Sequence, residues 1–239
     1  PDSSVVIIGN SGDAIERYDP ARNRWLRLGR LPQQIFGPTA TLLADGRILV
    51  IGDLLNGSAS GQLYDPANGS WLATPLLTTQ RYGHTATRLR DGTVLVAGGG
   101  LSSGDTTIAT RYDPETNRWL PAARMLAEHS LHTATLLDDG RVLVIGGPIS
   151  RGAIGAELYD PISDSWQAAS NPKRYRGGFA ATLLADGRVL VTGDDDLATA
   201  ELYDPATDSW RLTASPAATR DYATATLLAD GTVLVVGGT

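Results

Sequence analysis

There is no cysteine among the 239 residues of this chain. That single absence removes disulfides, thiolate metal sites and cysteine nucleophiles together. It does not fix a compartment: the chain reads as soluble, with secreted or periplasmic bacterial settings left open. Basic residues are in deficit, 20 Lys and Arg against 26 Asp and Glu, for a net charge of −6. Nucleic acid wants a basic face, so it is excluded as a partner. No apolar run approaches membrane-spanning length, which excludes a transmembrane helix. No signal peptide is visible, and the chain opens at Pro1 without a methionine. It therefore reads as a mature product or as an excerpt of something longer. No stretch shows a 3.6-residue apolar period, so almost no helix is expected. Neither a Gly-x-Ser-x-Gly elbow nor a phosphate loop occurs.

What is present is one unit written five times. Tryptophans stand at Trp25, Trp71, Trp119, Trp166 and Trp210, in steps of 46, 48, 47 and 44 residues. Each follows by seven residues a tyrosine that opens Tyr-Asp-Pro: Tyr18, Tyr64, Tyr112, Tyr159 and Tyr203. After each tryptophan come a Thr-Ala-Thr-like run, an Asp-Gly pair, and an aliphatic run ending in glycine. Self-similarity at this period signals a repeat architecture. The repeats run from end to end, so residues 1–239 read as a single domain.

One unit shows how the repeat works. Thr85 to Leu89 is short and β-branched, and Asp91-Gly92 gives a tight hairpin turn because glycine accepts positive φ. Val94-Leu95-Val96 suits a strand buried on both faces. A variable loop follows Gly98-Gly99. The third strand stops at Tyr112-Asp113-Pro114, since proline cannot donate to a ladder. A fourth strand carries Trp119. Four strands in a meander, repeated radially, make the blades of a β-propeller. The fold class is thus all-β, a propeller of four-stranded antiparallel blades. Small residues at Ala40, Ala86, Ala134, Ala181 and Ala225 suit crowded inner strands, and the glycine pairs are expected to admit a neighbouring aromatic.

Gly-Gly after an aliphatic strand, then Tyr-Asp-Pro, then tryptophan, resembles the kelch repeat across essentially the whole chain. The Arg-x-x-His-Thr-Ala-Thr wording at Arg81 to Thr87 is similar to its bacterial form and suggests a bacterial origin. There are departures: Gly52-Asp53, Gly193-Asp194 and Gly9-Asn10 replace the double glycine, and Pro38, Phe179 and Ala223 replace the histidine. The resemblance implies that the variable-loop face around the central channel binds partners. Galactose oxidase-like copper enzymes share the scaffold, and that resemblance implies a tyrosine crosslinked to cysteine. With no cysteine here, it stops at the scaffold.

The two ends are complementary. The chain opens on a second-type strand (Val5 to Ile8), then a third and a fourth. It closes on a first (Thr224 to Leu228) and a second (Val233 to Val236). Five blades are expected, closed by pairing the C-terminal first and second strands with the N-terminal third and fourth. One second strand is then surplus, so an excerpt of a larger propeller, or two chains sharing strands, stays open beside a monomer.

Aligned on Thr-Ala-Thr, one position reads Ile35, Arg81, His129, Arg176, Arg220, and the next reads Phe36, Tyr82, Ser130, Gly177, Asp221. The candidate ligand-binding residues are Arg81, Tyr82, His129, Tyr175, Arg176, Arg220 and Tyr222. Arginine forks and tyrosines in a ring suit an acidic protein or peptide, or a glycan; the alternative is that the arginines cap loops within the repeat. Asp194-Asp195-Asp196, with Asp13, Asp53 and Asp105, lacks the spaced calcium-loop pattern. Glu128, His129 and His132 fall short of a zinc set. No cofactor and no metal are therefore expected. The inner strands carry no acid of the kind glycosidases need. The expectation is a non-catalytic interaction scaffold and not an enzyme. Its alternatives are a lectin-like carbohydrate binder, and an excerpt or engineered propeller with no binding role of its own.

Overall fold

A computed structural model of the chain describes residues 4–9, 14–54, 59–77, 81–100, 106–147, 155–174, 178–193 and 198–238. Every regular element among them is a β-strand, so no helix there is long and apolar enough to cross a membrane. The first sheet has three strands, β1 (Val5–Ile8), β2 (Ala14–Asp19) and β3 (Arg24–Arg30). The second is β4 (Phe36–Leu42), β5 (Ile48–Asp53), β6 (Ala59–Asp65) and β7 (Ser70–Ala73). The third is β8 (Thr85–Arg88), β9 (Val94–Ala97), β10 (Ala109–Asp113) and β11 (Arg118–Pro121). The fourth is β12 (Thr133–Leu136), β13 (Val142–Ile145), β14 (Ala156–Asp160) and β15 (Ser165–Ala168). The fifth is β16 (Ala180–Leu183), β17 (Val189–Thr192), β18 (Ala200–Asp204) and β19 (Ser209–Thr213). A last pair, β20 (Thr224–Leu227) and β21 (Val233–Val236), follows. All pairings are antiparallel meanders, as the repeat predicts.

Local chemistry sets these boundaries. At each Asp-Gly turn the aspartate accepts the N–H two residues on, as in Arg47 N to Asp45 Oδ1 at 3.0 Å and Thr93 N to Asp91 Oδ1 at 3.0 Å. In the Tyr-Asp-Pro turn the aspartate does the same, with Glu115 N to Asp113 Oδ1 at 2.9 Å. The tyrosine hydroxyl then donates to a residue five places on: Tyr112 to Asn117 at 2.8 Å, Tyr159 to Asp164 at 2.8 Å, Tyr203 to Asp208 at 2.9 Å. Those acceptors sit at left-handed φ (52°, 48° and 45°), where short polar side chains are favoured.

Successive sheets stack through apolar clusters. Leu49, Ile51 and Leu63 of the second sheet meet Val94, Val96 and Tyr112 of the third. Leu143, Ile145 and Leu158 of the fourth meet Val189, Val191 and Tyr203 of the fifth. Each tryptophan packs tilted against its own tyrosine, for example with 5.0 Å between centroids for Tyr112 and Trp119. In three of them the indole N–H reaches back toward the preceding sheet: Trp119 to Pro75 O at 2.8 Å, Trp166 to Ala123 O at 2.9 Å, Trp210 to Ser170 O at 2.6 Å. The aromatic pairs are therefore the mortar between blades.

Two expectations are corrected. The seam strands do not share a blade. β1 pairs β2 with Val5 opposite Tyr18, the register that Val94 and Tyr112 have in a complete blade. β21 pairs only β20 among the described strands. Each terminus keeps its own second strand because the two compete for the same edge of β2. The glycine pairs, secondly, admit backbone as well as a ring: a Cβ on Gly98 would stand 2.8 Å from His132 Cε1 and against His129 O. A Cβ on Gly99 (φ 86°) would stand 2.8 Å from His84 N, and one on Gly147 (φ 125°) would stand 3.0 Å from His129 Cα. The turn leading into their own blade presses on Gly99 and Gly147.

Candidate functional site at the axial mouth

The turn leading into each inner strand and the glycine pair of the preceding second strand lie together, as the repeat predicts. Backbone bonds knit this face: Gly99 N to His129 O at 2.9 Å across blades, Gly100 N to Tyr82 O at 2.7 Å within one blade, and Leu131 N to Gly83 O at 2.9 Å from turn to turn. Inner strands β4, β8, β12, β16 and β20 contact one another in sequence, so these turns stand side by side along the inner edge of the sheets. A depression of about 300 Å³ opens there. Its walls are Gly83 and His84, Leu131 and His132, Gly178 and Phe179, and Tyr222 and Ala223, one pair from each of four consecutive turns.

The ring expected to bind ligand is divided by depth. Arg81 is 2% exposed; its Nη1 donates to Gly98 O at 3.2 Å and Ile108 O at 2.7 Å. Burial pulls it down to about 10, with Asp53 acting in the opposite sense, so it remains a cation at neutral pH. Arg220 makes the equivalent bond, Nη1 to Gly237 O at 2.8 Å. His129 is fully buried between Gly146 O and Glu157. Arg81 and His129 thus brace loops inside the protein instead of facing solvent, because buried polar groups must find hydrogen-bond partners there. Tyr82 and Tyr222 stay outside, the latter 74% exposed, each with its ring over a glycine of the neighbouring turn, Gly37 and Gly178. Tyr175 and Arg176 lie outside the described residues.

Other residues of the mouth gave no sequence signal as ligands. The third residue of each turn has left-handed φ: Gly37 55°, Gly83 73°, Leu131 54°, Gly178 66°, Tyr222 59°. Leu131 and Tyr222 hold a conformation that costs a side-chain-bearing residue roughly 1–2 kcal/mol, and both are exposed on the rim. The fourth residue builds rungs between blades. His84 Nε2 bonds Thr39 Oγ1 at 2.8 Å, and His132 Nε2 bonds Thr85 Oγ1 at 2.8 Å. Phe179 occupies the next such place, and Thr133 Oγ1 is buried without a partner among the described residues. His132 Nδ1 and Ser130 Oγ are likewise unpartnered. Burial lowers His84 to about 4 and His132 well below the usual imidazole range, with the neighbouring His129 adding to the second effect. The depression therefore presents neutral imidazoles and apolar rings.

Buried carboxylates were also missed. Glu157 accepts from Leu126 N at 2.8 Å and Ala127 N at 2.7 Å; Glu201 accepts from Lys173 N at 2.8 Å and Arg174 N at 3.0 Å. Both pin the turn that leads into their own blade. Their repeat position, two before the tyrosine, was the available clue. Asp53 serves similarly, accepting Arg81 N at 2.6 Å, which explains the aspartate in place of a second glycine. Asp13, Asp105 and Asp194 to Asp196 lie outside the described residues.

A larger groove, about 600 Å³, lies on the opposite face beside Asp45, Arg47, Arg90, Asp91 and Asp113. Its charges are mostly matched internally, with Arg47 on Asp45 at 2.7 Å and on Pro114 O at 3.1 Å, and Arg111 on Asp91.

No protein-family model matches the chain. No curated protein matches it either. Among solved structures it is similar to a fungal alcohol oxidase of the AA5 family determined in complex with copper, at 21% identity with a TM-score of 0.58. The match covers 94% of this chain and 63% of that one, so the chain spans less than two thirds of its structural neighbour. At this identity the likeness establishes the shared fold. It also overturns the expectation of a non-catalytic scaffold that is not an enzyme: this blade architecture is found in a catalyst, and the absence of familiar motifs gives no ground for excluding one.

Copper itself does not fit the described residues. They contain no group of three His, Cys, Asp or Glu able to hold a metal. His84 spends Nδ1 on Arg81 O and Nε2 on Thr39, and His129 spends both nitrogens on Gly146 O and Glu157. The chain has no cysteine to modify a tyrosine.

Proposed function

We propose that this chain is a kelch-type propeller portion of an enzyme, and that its axial mouth receives a neutral, hydroxyl-bearing substrate. The observation that carries this reading is the lining of the depression: neutral His84 and His132, apolar Phe179 and Leu131, and the exposed ring of Tyr222. Uncharged walls do not favour an anion. Aromatic and aliphatic surfaces suit the C–H faces of alcohols and polyols, and a few convergent polar groups fix orientation. The similarity to an alcohol oxidase supports the same substrate class. The described residues supply the place where the substrate is held. None of them is assigned the chemical step, and no step is routed through copper.

The test is a titration of the full chain with glycerol, galactose and benzyl alcohol, followed by amide NMR, with a polyglutamate peptide as the anionic comparison. Saturable shifts at Gly83, His132, Gly178 and Tyr222 are expected with the neutral compounds and not with the peptide. Tyr222→Ala, which removes an exposed ring, should weaken binding several-fold while leaving the remaining spectrum in place. Conversion of the bound compound, followed in the same samples, checks the catalytic part. A mouth that binds only the acidic peptide sinks the reading.

A further inference from the structure

We propose that His129 is a buried imidazolium standing in for the arginine of the repeat, and that it acts as a proton-operated latch on the rim of the axial mouth. The position is one of Ile35, Arg81, His129, Arg176 and Arg220. Arg81 donates to the carbonyl of Gly98, and Arg220 to that of Gly237, each 17 residues on. His129 Nδ1 meets the carbonyl of Gly146, again 17 residues on. The imidazole therefore occupies the guanidinium's place and bonds the same carbonyl.

Its second nitrogen decides the charge. Nε2 stands 3.1 Å from Glu157 Oε1. A peptide carbonyl only accepts, and so does an ionised carboxylate. Glu157 is held in the accepting state by the N–H groups of Leu126 and Ala127, one on each oxygen. Two acceptors facing two ring nitrogens call for two ring protons. Both side chains are 0% exposed, and a buried carboxylate left without a cation is costly, so the pair is mutually required. The repeat supports this. The residue two before the tyrosine is Gln62, Thr110, Glu157 or Glu201 in the complete blades. The glutamates fall in the units with His129 and Arg176, while Gln62 falls in the unit with Ile35. Thr110 accompanies Arg81, whose negative neighbour is Asp53.

Arginine keeps its proton at any accessible pH, whereas imidazole does not. Loss of one proton from His129 removes one of its two bonds, that to Gly146 O or that to Glu157 Oε1. The turn that Glu157 and His129 hold together, residues 126–132, carries Leu131 and His132, two walls of the mouth. Among the described residues, the titratable groups around the ring are Glu157 on β14 and His132, whose ring centroid lies 5.7 Å away edge-on. Glu128, the preceding residue, is exposed to solvent. Rising pH therefore loosens one sector of the rim, while the arginine-braced sectors stay fixed.

The experiment is nitrogen-detected NMR of the histidine rings in the full chain, with chemical denaturation from pH 6 to pH 9. At pH 7, His129 is expected to show two protonated nitrogens, and His84 and His132 one each. Stability should fall as pH rises through the His129 titration. His129→Arg should remove that slope, and His129→Gln should be destabilised by a similar amount across the range. A bare ring nitrogen on His129 at pH 7, or a slope that persists in His129→Arg, overturns the proposal. Should the arginine variant not fold, the ring titration of the unmodified chain decides alone. None of these readouts involves a ligand, so the outcome is separate from that of the substrate titration.

Discussion

At the scale of single residues, the mouth is a ladder of interblade hydrogen bonds that stops part-way. Thr39 with His84 and Thr85 with His132 form complete rungs. Thr133 then faces the place taken by Phe179, and its hydroxyl is buried unpaired. An unsatisfied buried hydroxyl costs roughly 1–3 kcal/mol, whereas a made bond contributes roughly 1. Thr133→Val should therefore be neutral or stabilising by about 1 kcal/mol, and Thr85→Val destabilising by about 1 kcal/mol. Urea midpoints of the two variants check the contrast. His84 also sets an acid limit. Its folded value, about 4, lies below the ordinary 6.5, so the unfolded chain takes up the proton first. Stability contributed by neutral His84 is complete above pH 6.5 and is lost as pH falls toward 4, by about 3 kcal/mol in all. Urea unfolding at stepped pH between 7 and 4 should show this decline, and a flat profile would contradict the burial of that ring.

At the scale of the blade, the tryptophans are alike in sequence and unlike in energy. Trp166 and Trp210 are under a tenth exposed and donate to the preceding blade. Trp25 stands on the first sheet and is 52% exposed. Trp166→Ala should cost about 3–5 kcal/mol, the usual range for a buried aromatic, and Trp25→Ala about half of that or less. Thermal unfolding of the two variants under one buffer checks the ranking. The unit's regular features were legible in sequence because they are local: the Asp-Gly turn, the Tyr-Asp-Pro stop and the tyrosine–tryptophan pair each act within a few residues. The role of Glu157 and Glu201 was not. Their donors lie about 30 residues away in the turn that leads into the blade, and a glutamate in a third strand carries no local sign of what it will accept from.

At the scale of the whole molecule, the sheets form a row in which each interface repeats the last, up to two open faces. Val5 and Ile7 on β1 are about half exposed, as are Leu234 and Val236 on β21, whereas the equivalent positions in β9 and β13 are buried. Nearest-neighbour stacking makes such ends energetically separable from the interior. Ile7→Lys and Leu234→Lys should each change stability by under about 0.5 kcal/mol, the range for exposed sites, while Ile51→Lys should prevent folding. Guanidinium titrations measure this directly. A loss of several kcal/mol in either end variant would show that the two faces meet in solution, as a ring closed through the termini requires.

The spacing of tyrosine and tryptophan, the turn residues and the alternation of aliphatic runs determined the all-β repeat, its blades and the face on which the mouth lies. These depend on contacts short in sequence and identical in every unit. Tertiary structure alone decided how deep each mouth residue sits. Arg81 and His129 are ordinary surface candidates until Gly98, Gly146 and Glu157 close over them. It also decided which second strand completes the first sheet, since β1 and β21 carry nearly the same sequence and compete for one edge. Where two segments satisfy the same local pattern, only the packing of the assembled blades selects between them.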